Sequence, residues 1–164
     1  MAGSHLTPER LRELLDYDPA TGVFINRTKR SRLALPGAIA GTITTRLYRA
    51  ITIDGRIYAA HRLAWLYVHG RWPLDQIDHI DCNKMNNAIA NLREASHRLN
   101  QQNIKTANKN NKLGILGVIR LRNGFRSCIY CNGKATVLGI FATPEEAHAV
   151  YLKAKRRLHD GCTI

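Results

Sequence analysis

The sequence predicts an α+β fold, and three observations carry that expectation. Two-residue turn signals, Asp54-Gly55, Asn123-Gly124 and Asn132-Gly133, separate short runs rich in β-branched and aromatic residues. Helical periodicity takes over directly after such runs, once from His61 and again from Thr143. Between the two halves lies Gln101 to Lys112, rich in Asn and Lys and poor in apolar residues. No internal repeat is present.

Taken in order, residues 1–5 (Met-Ala-Gly-Ser-His) read as an expression remnant and are left out of fold reasoning. Leu6-Thr-Pro-Glu9 opens a helix, with Thr7 as N-cap, Pro8 at the first helical position and Leu6 stapled onto Leu11. Leu11, Leu14 and Leu15 form its apolar face. Asp18 to Gly22 is a turn, Val23 to Ile25 a short strand, and Arg27 to Arg32 a basic stretch that reads as a solvated loop or a phosphate contact. Tyr48 to Ile53 and Arg56 to Ala60 flank the first hairpin turn, and Ala60, Leu63, Ala64, Tyr67 and Val68 repeat at helical spacing up to Gly70. Leu116 to Leu121, Phe125 to Cys131 and Ala135 to Phe141 are three further strands. Thr143-Pro-Glu-Glu146 is a capping box, and Ala147, Val150, Tyr151, Ala154 and Leu158 line the helix that runs towards Gly161.

Composition narrows the partners. Twenty-five Lys and Arg against twelve Asp and Glu leave a formal charge of +13, which favours polyanions and points to nucleic acid. An anionic membrane is the weaker reading, because no run of eighteen apolar residues and no long Lys-rich amphipathic helix occurs. The first residues lack the apolar core of a signal peptide, so a cytoplasmic setting is expected. Cys128-x-x-Cys131 has the spacing of half a zinc site but falls on an expected strand, where residues three apart point to opposite faces; with Cys82 and Cys162 these read as reduced thiols.

The most informative stretch is Ile77 to Asn100, which contains Asp78-His79-Ile-Asp81, Asn86-Asn87, Asn91-Leu-Arg93 and Asn100. A carboxylate and an amide carbonyl are hard oxygen donors suited to Mg²⁺ or Mn²⁺, and an imidazole can take a proton from water near neutral pH. If Asp78 and Asn100 hold the ion, His79, adjacent on an extended strand, faces away from it and can reach the attacking water. That arrangement suits in-line cleavage of a phosphodiester.

Together with Tyr58-Ala-Ala-His61-Arg-Leu-Ala-Trp65, these residues resemble the HNH endonucleases of phages and mobile introns. The resemblance implies a ββα-metal core, a divalent ion on Asp78 and Asn100, His79 as general base, and Asn91 as the central Asn that braces the loop from Asp81 to Ala90. Asn100 stands where many relatives carry a final His. His61 and Arg62 are expected to pack or to touch phosphate, and His97 to be an exposed helix residue or an outer neighbour of the ion. Gly117-Val118, Phe125-Arg126, Ile129, Leu138-Gly-Ile-Phe141, Glu145-Glu-Ala147, Ala149, Tyr151 and Ala154 are similar to the AP2 DNA-binding domain that follows HNH units in phage enzymes, with Phe125 in place of the usual Trp.

The expected organisation is then an HNH region over 6–100, a linker over 101–112 and an AP2-like domain over 113–164, a three-stranded sheet packed on one helix. The expected partner is double-stranded DNA, met by Arg62, by Lys105, Asn108, Lys109 and Asn111 of the linker, and by Arg120, Arg122, Arg126 and Tyr130 of the tail, with Lys134 a further candidate. A monomer or homodimer that nicks or cleaves DNA is expected; the alternative is a DNA-binding regulator whose HNH unit does not cut.

Overall fold

The computed structural model describes residues 6–131 and 133–159, so residues 1–5, Asn132 of the expected second turn, Gly161 and Cys162 lie outside the described residues. The chain divides into two compact units, Met1–Ser96 and His97–Ile164.

In the first unit, α1 (Pro8–Leu14) begins as its sequence dictates: Thr7 accepts a hydrogen bond from the Arg10 amide, and Pro8 occupies the first turn. It stops one residue short of the expected apolar stripe. Leu15 turns extended and opens β1 (Leu15–Asp18), which pairs antiparallel with β2 (Val23–Asn26). The Asp18 carboxylate closes the turn between them by accepting from the Ala20 amide and the Thr21 hydroxyl. A three-stranded sheet follows, from β3 (Thr42–Ile43), β4 (Arg49–Ile53) and β5 (Arg56–Ala59). Asp54 and Gly55 both have positive φ, 47° and 77°, the type I′ geometry expected of that dipeptide.

The last strand of this sheet runs straight into α2 (Ala60–His69), which Gly70 ends in the left-handed conformation with its N–H on the Leu66 carbonyl. β6 (Gln76–His79) and β7 (Leu92–Ala95) then form an antiparallel hairpin closed by a long loop and a 3-10 turn at Ile89–Asn91. Leu11, Leu15, Phe24, Ile51, Ile53, Leu63 and Leu66 make the core, and Ile77 and Leu92 of the hairpin join it. Each such side chain buried contributes about 1.5–3 kcal/mol, so Ile77 and Leu92 fix the hairpin to the rest of the unit. In the basic stretch, Arg30 is engaged by the fold: its Nε and Nη2 reach Asn26 Oδ1 and its Nη1 reaches the Thr52 carbonyl, whereas Lys29 is exposed.

The second unit starts with α3 (His97–Gln102) and contains β8 (Val118–Leu121), β9 (Gly124–Cys131), β10 (Lys134–Phe141) and α4 (Pro144–Leu158), with β9 central in the sheet. The capping box at Thr143 and Glu146 is complete, and α4 ends at Leu158, with His159 already extended. Ile129, Tyr151 and Ala154 pack with Leu116, Leu138 and Leu152 between sheet and helix. Gly117 makes that packing possible: φ is +76°, and a Cβ there would lie 2.0 Å from the Tyr151 ring. Residues 101–112 fall inside this unit, where Gln102 and Asn103 are buried and the buried Lys155 donates to the Ile104 carbonyl. No helix among the described residues is long and apolar enough to cross a membrane.

Candidate active site

The β6–β7 ladder brings the chemistry together. Its register sets Asp78 opposite Arg93 and His79 opposite Leu92. Asp78 is 6% exposed and His79 5% exposed, a deeper burial than the sequence alone suggests. Arg93 satisfies the buried carboxylate from across the ladder, its Nε and Nη2 donating to Asp78 Oδ2 at 3.0 and 2.8 Å.

His79 meets a different partner. Its Nε2 lies 3.2 Å from Asn87 Oδ1, while the Asn87 amide nitrogen is given to the Met85 carbonyl at 3.3 Å. With the amide oriented that way, Oδ1 is placed to accept from His79 Nε2 and anchors the ring by that nitrogen. Asn87 is itself held from outside the hairpin. The Tyr17 hydroxyl donates to its carbonyl at 2.7 Å, and the Ile89 amide donates to the Pro19 carbonyl at 3.0 Å. Gly22 permits this approach, since a Cβ there would stand 2.2 Å from the Asn87 carbonyl carbon.

A second imidazole completes the cluster. The rings of His61 and His79 meet edge to face with centroids 5.2 Å apart, and Tyr48 lies 5.3 Å from His61 and 6.1 Å from His79. Burial lowers the pKa of both histidines. For His61, burial is reinforced by the neighbouring His79 and Arg62, and the value falls to about 4. For His79, burial outweighs the opposing hydrogen bond to Asn87 and the nearby carboxylates of Asp81 and Asp78. Both rings are therefore neutral at neutral pH. Tyr48 moves the other way, burial and the Asp78 carboxylate raising its phenol, and Lys84 Nζ stands 4.8 Å from its ring centroid.

The loop from Ile80 to Asn91 is held from within by amide side chains. Asn91 Oδ1 accepts from the Asp81 amide at 3.0 Å, and its Nδ2 donates to Asp81 Oδ1 at 2.9 Å and to the Asn86 carbonyl at 2.8 Å. Asp81 Oδ2 accepts from the Asn86 amide, and Asp81 Oδ1 also from the Asn83 N–H. Burial raises the Asp81 pKa, yet the hydrogen bonds from Asn86, Asn83 and Asn91 prevail and hold the carboxyl below the usual range. Asn91 thus braces the loop and does not face the imidazole pair.

Asn100 is half-buried on α3, in the second unit, and His97 is exposed at the start of that helix. Arg62 is partly committed to its own unit, donating to the Asp75 carbonyl and lying 5.9 Å over the Trp72 ring. Asn111 is also spent internally: its Nδ2 reaches the Ile115 and Val118 carbonyls and its Oδ1 caps the Leu113 amide. Asn108 and Lys109 are exposed and Lys105 half-buried. On the sheet, Arg120, Arg122 and Lys134 are exposed, Tyr130 is 66% exposed and Arg126 half-buried, paired in register with Ile119 on one side and Ile140 on the other. Cys82, Cys128 and Cys131 are free thiols, and among the described residues no group of three or more His, Cys, Asp or Glu could hold a metal.

Sequence reasoning assigns no site role to Arg93, Asn87 or Tyr48 and leaves His61 between packing and phosphate contact. The signal for Arg93 is available in hindsight of register alone, because strands of equal length ending at His79 and starting at Leu92 place it opposite Asp78.

Residues 58–102 match the HNH endonuclease family. Over 93 residues the chain is 33% identical to an uncharacterised HNH endonuclease of Acanthamoeba polyphaga mimivirus, an alignment that covers 56% of this chain and 48% of that protein, so the chain spans about half the length of its relative. No solved structure matches. The α2 helix, the β6–β7 hairpin and the α3 helix all lie within the residues matched to the family.

Proposed function

We propose that the chain is a metal-dependent endonuclease that hydrolyses phosphodiester bonds of double-stranded DNA. One observation carries the reading: a buried carboxylate and a buried imidazole anchored by Asn87 are neighbours on one strand of the hairpin in the HNH segment. Asp78 would supply a carboxylate to the divalent ion, Mg²⁺ or Mn²⁺, a hard oxygen donor that fits such an ion better than a thiol- or imidazole-seeking one. When bound, the ion supplies charge neutralisation at the phosphate and at the departing 3′ oxygen.

The chain's own residues do the rest. The His79 imidazole accepts a proton from water as the water oxygen bonds to phosphorus and the bond from phosphorus to the 3′ oxygen breaks; solvent protonates the departing oxygen, leaving 5′-phosphate and 3′-hydroxyl ends. Asn87 holds the ring in place, and a pKa lowered by burial keeps the imidazole unprotonated at neutral pH. Arg93 orients Asp78, and Asn91 keeps the intervening loop in shape. The second unit serves as an AP2-like anchor on DNA, with Arg120, Arg122, Arg126 and Tyr130 of its sheet and Lys105, Asn108 and Lys109 before it as contacts; Asn111, spent internally, serves the turn instead. One base per chain predicts nicking by a monomer, with double-strand breaks requiring a dimer or two events.

A binding protein that does not cut is the second reading, favoured by the burial of both Asp78 and His79. Supercoiled plasmid decides between them. With Mg²⁺ or Mn²⁺ the protein should convert it to the open circle, chelator should stop the reaction, and His79→Ala should slow it by at least about a hundredfold, the usual loss with a general base. Full activity in His79→Ala removes the assigned base. No cutting under any metal leaves the binding role.

A further inference from the structure

The histidine that the proposed mechanism does not use is placed as though for substrate. His61 stands in the first turn of α2, on a different element from His79, yet the two rings meet at 5.2 Å. It is half-buried, and among the described residues neither of its ring nitrogens has a hydrogen-bond partner in the protein. The other buried or half-buried histidines are anchored: His79 to Asn87 Oδ1, His148 to the Leu116 carbonyl and His159 to the Tyr130 carbonyl. His61 is not among the residues whose buried polar atoms lack a partner, so its ring stays open to an incoming group, and a ligand atom can meet it without displacing a protein partner.

We propose that His61 donates a hydrogen bond from its imidazole N–H to a non-bridging oxygen of the phosphodiester addressed by His79, a role that rests on the nuclease reading above. The ring has the chemistry for it. A neutral imidazole offers one N–H, and the low pKa keeps His61 from placing a second positive charge beside the base. A donor fixed in advance at the position where charge accumulates lowers the barrier more than it strengthens ground-state binding. Tyr48 also packs on the ring, with centroids 5.3 Å apart.

The test uses the full-length protein and a duplex containing a nick site mapped from the plasmid reaction. His61→Phe keeps an aromatic ring against Tyr48 and His79 but removes the donor; His61→Gln supplies an amide N–H. Single-turnover rates should fall at least about tenfold in His61→Phe with KM within about twofold, and His61→Gln should recover part of the loss. Wild-type rates in His61→Phe, or equal losses in both variants with urea midpoints unchanged, would overturn the proposal. A second readout needs no metal and no cutting: with imidazole ¹⁵N labelling and chelator present, the His61 N–H signal should move on adding duplex. Movement in a protein that cuts nothing supports the contact while sinking the nuclease reading. An unmoved signal in a protein that cuts sinks the contact alone.

Discussion

Arg93 faces Asp78 across the β6–β7 ladder and gives the carboxylate two hydrogen bonds, both to Oδ2. The pair sits beside the apolar part of the hairpin, since Ile77 and Leu92 next to it belong to the core. Removing the guanidinium would strand a buried carboxylate. Arg93→Ala should therefore lower stability by about 2–3 kcal/mol in urea unfolding, and Arg93→Lys, which keeps the charge but loses the fork, should fall between. An unchanged midpoint in Arg93→Ala would show that water replaces the guanidinium at no cost.

Asn91 makes three hydrogen bonds with its side chain, two of them with Asp81. Each donor or acceptor in that set serves the loop and none touches His79, so its substitution should act through order. Asn91→Ala is expected to cost about 1–3 kcal/mol, and hydrogen exchange should quicken at the amides of Asp81, Asn83 and Asn91. Asn91→Asp should be worse, because it sets a second carboxylate against Asp81. Exchange that quickens throughout the unit instead of in the loop would refute a local bracing role.

What the sequence discloses follows from how local each cause is. The Thr7 and Thr143 caps, the Asp54-Gly55 turn and the Gly70 stop act within a few residues, and each stands where its chemistry places it. Leu15 is different. It satisfies the helical stripe of Leu11 and Leu14, yet it also starts an alternating strand, and the choice is made by β2, eleven residues away at Asn26. The same holds within the site. Asp78 and His79 are legible because they are adjacent, whereas Asn87 reaches the imidazole only through a loop folded on Asn91 and pressed by the Asp18–Gly22 turn. The depth of burial is equally non-local, since α2, Tyr48 and the hairpin each cover part of the pair.

Gly22 is where that distant support can be tested. A Cβ at this position would stand 2.2 and 2.3 Å from the Asn87 carbonyl carbon and the Ala88 nitrogen, and φ is +74°. Both the backbone angle and the contact oppose any side chain. Gly22→Ala should cost at least about 2 kcal/mol and, by pushing Asn87 away, loosen its contact with His79. The ¹⁵N shifts of the His79 ring report that loosening directly, with the Nε2 signal moving from its wild-type position. A destabilised protein whose ring shifts stay as in the wild type would mean that Asn87 follows the hairpin without help from Gly22.

Acid should unfold the first unit in a window defined by its two neutral histidines. His61 has an ordinary value of 6.5 and a folded value of about 4, and His79 is shifted in the same direction by burial. The folded state therefore resists protonation that the unfolded chain accepts. Between pH 6.5 and about 4 the unfolded state binds more protons, so stability falls as pH falls across that range and is fully present above it. The carboxylates of Asp18, Asp54, Asp81 and Glu94, all held below their usual values, add losses at still lower pH. Urea midpoints measured from pH 7.5 downward, a starting point about one unit above the ordinary histidine value, should decline, and His61→Phe should flatten the decline by removing one of the two contributors. An undiminished slope in that variant would assign the acid sensitivity to His79 alone and show that His61 is protonated in the folded protein as readily as in the unfolded chain.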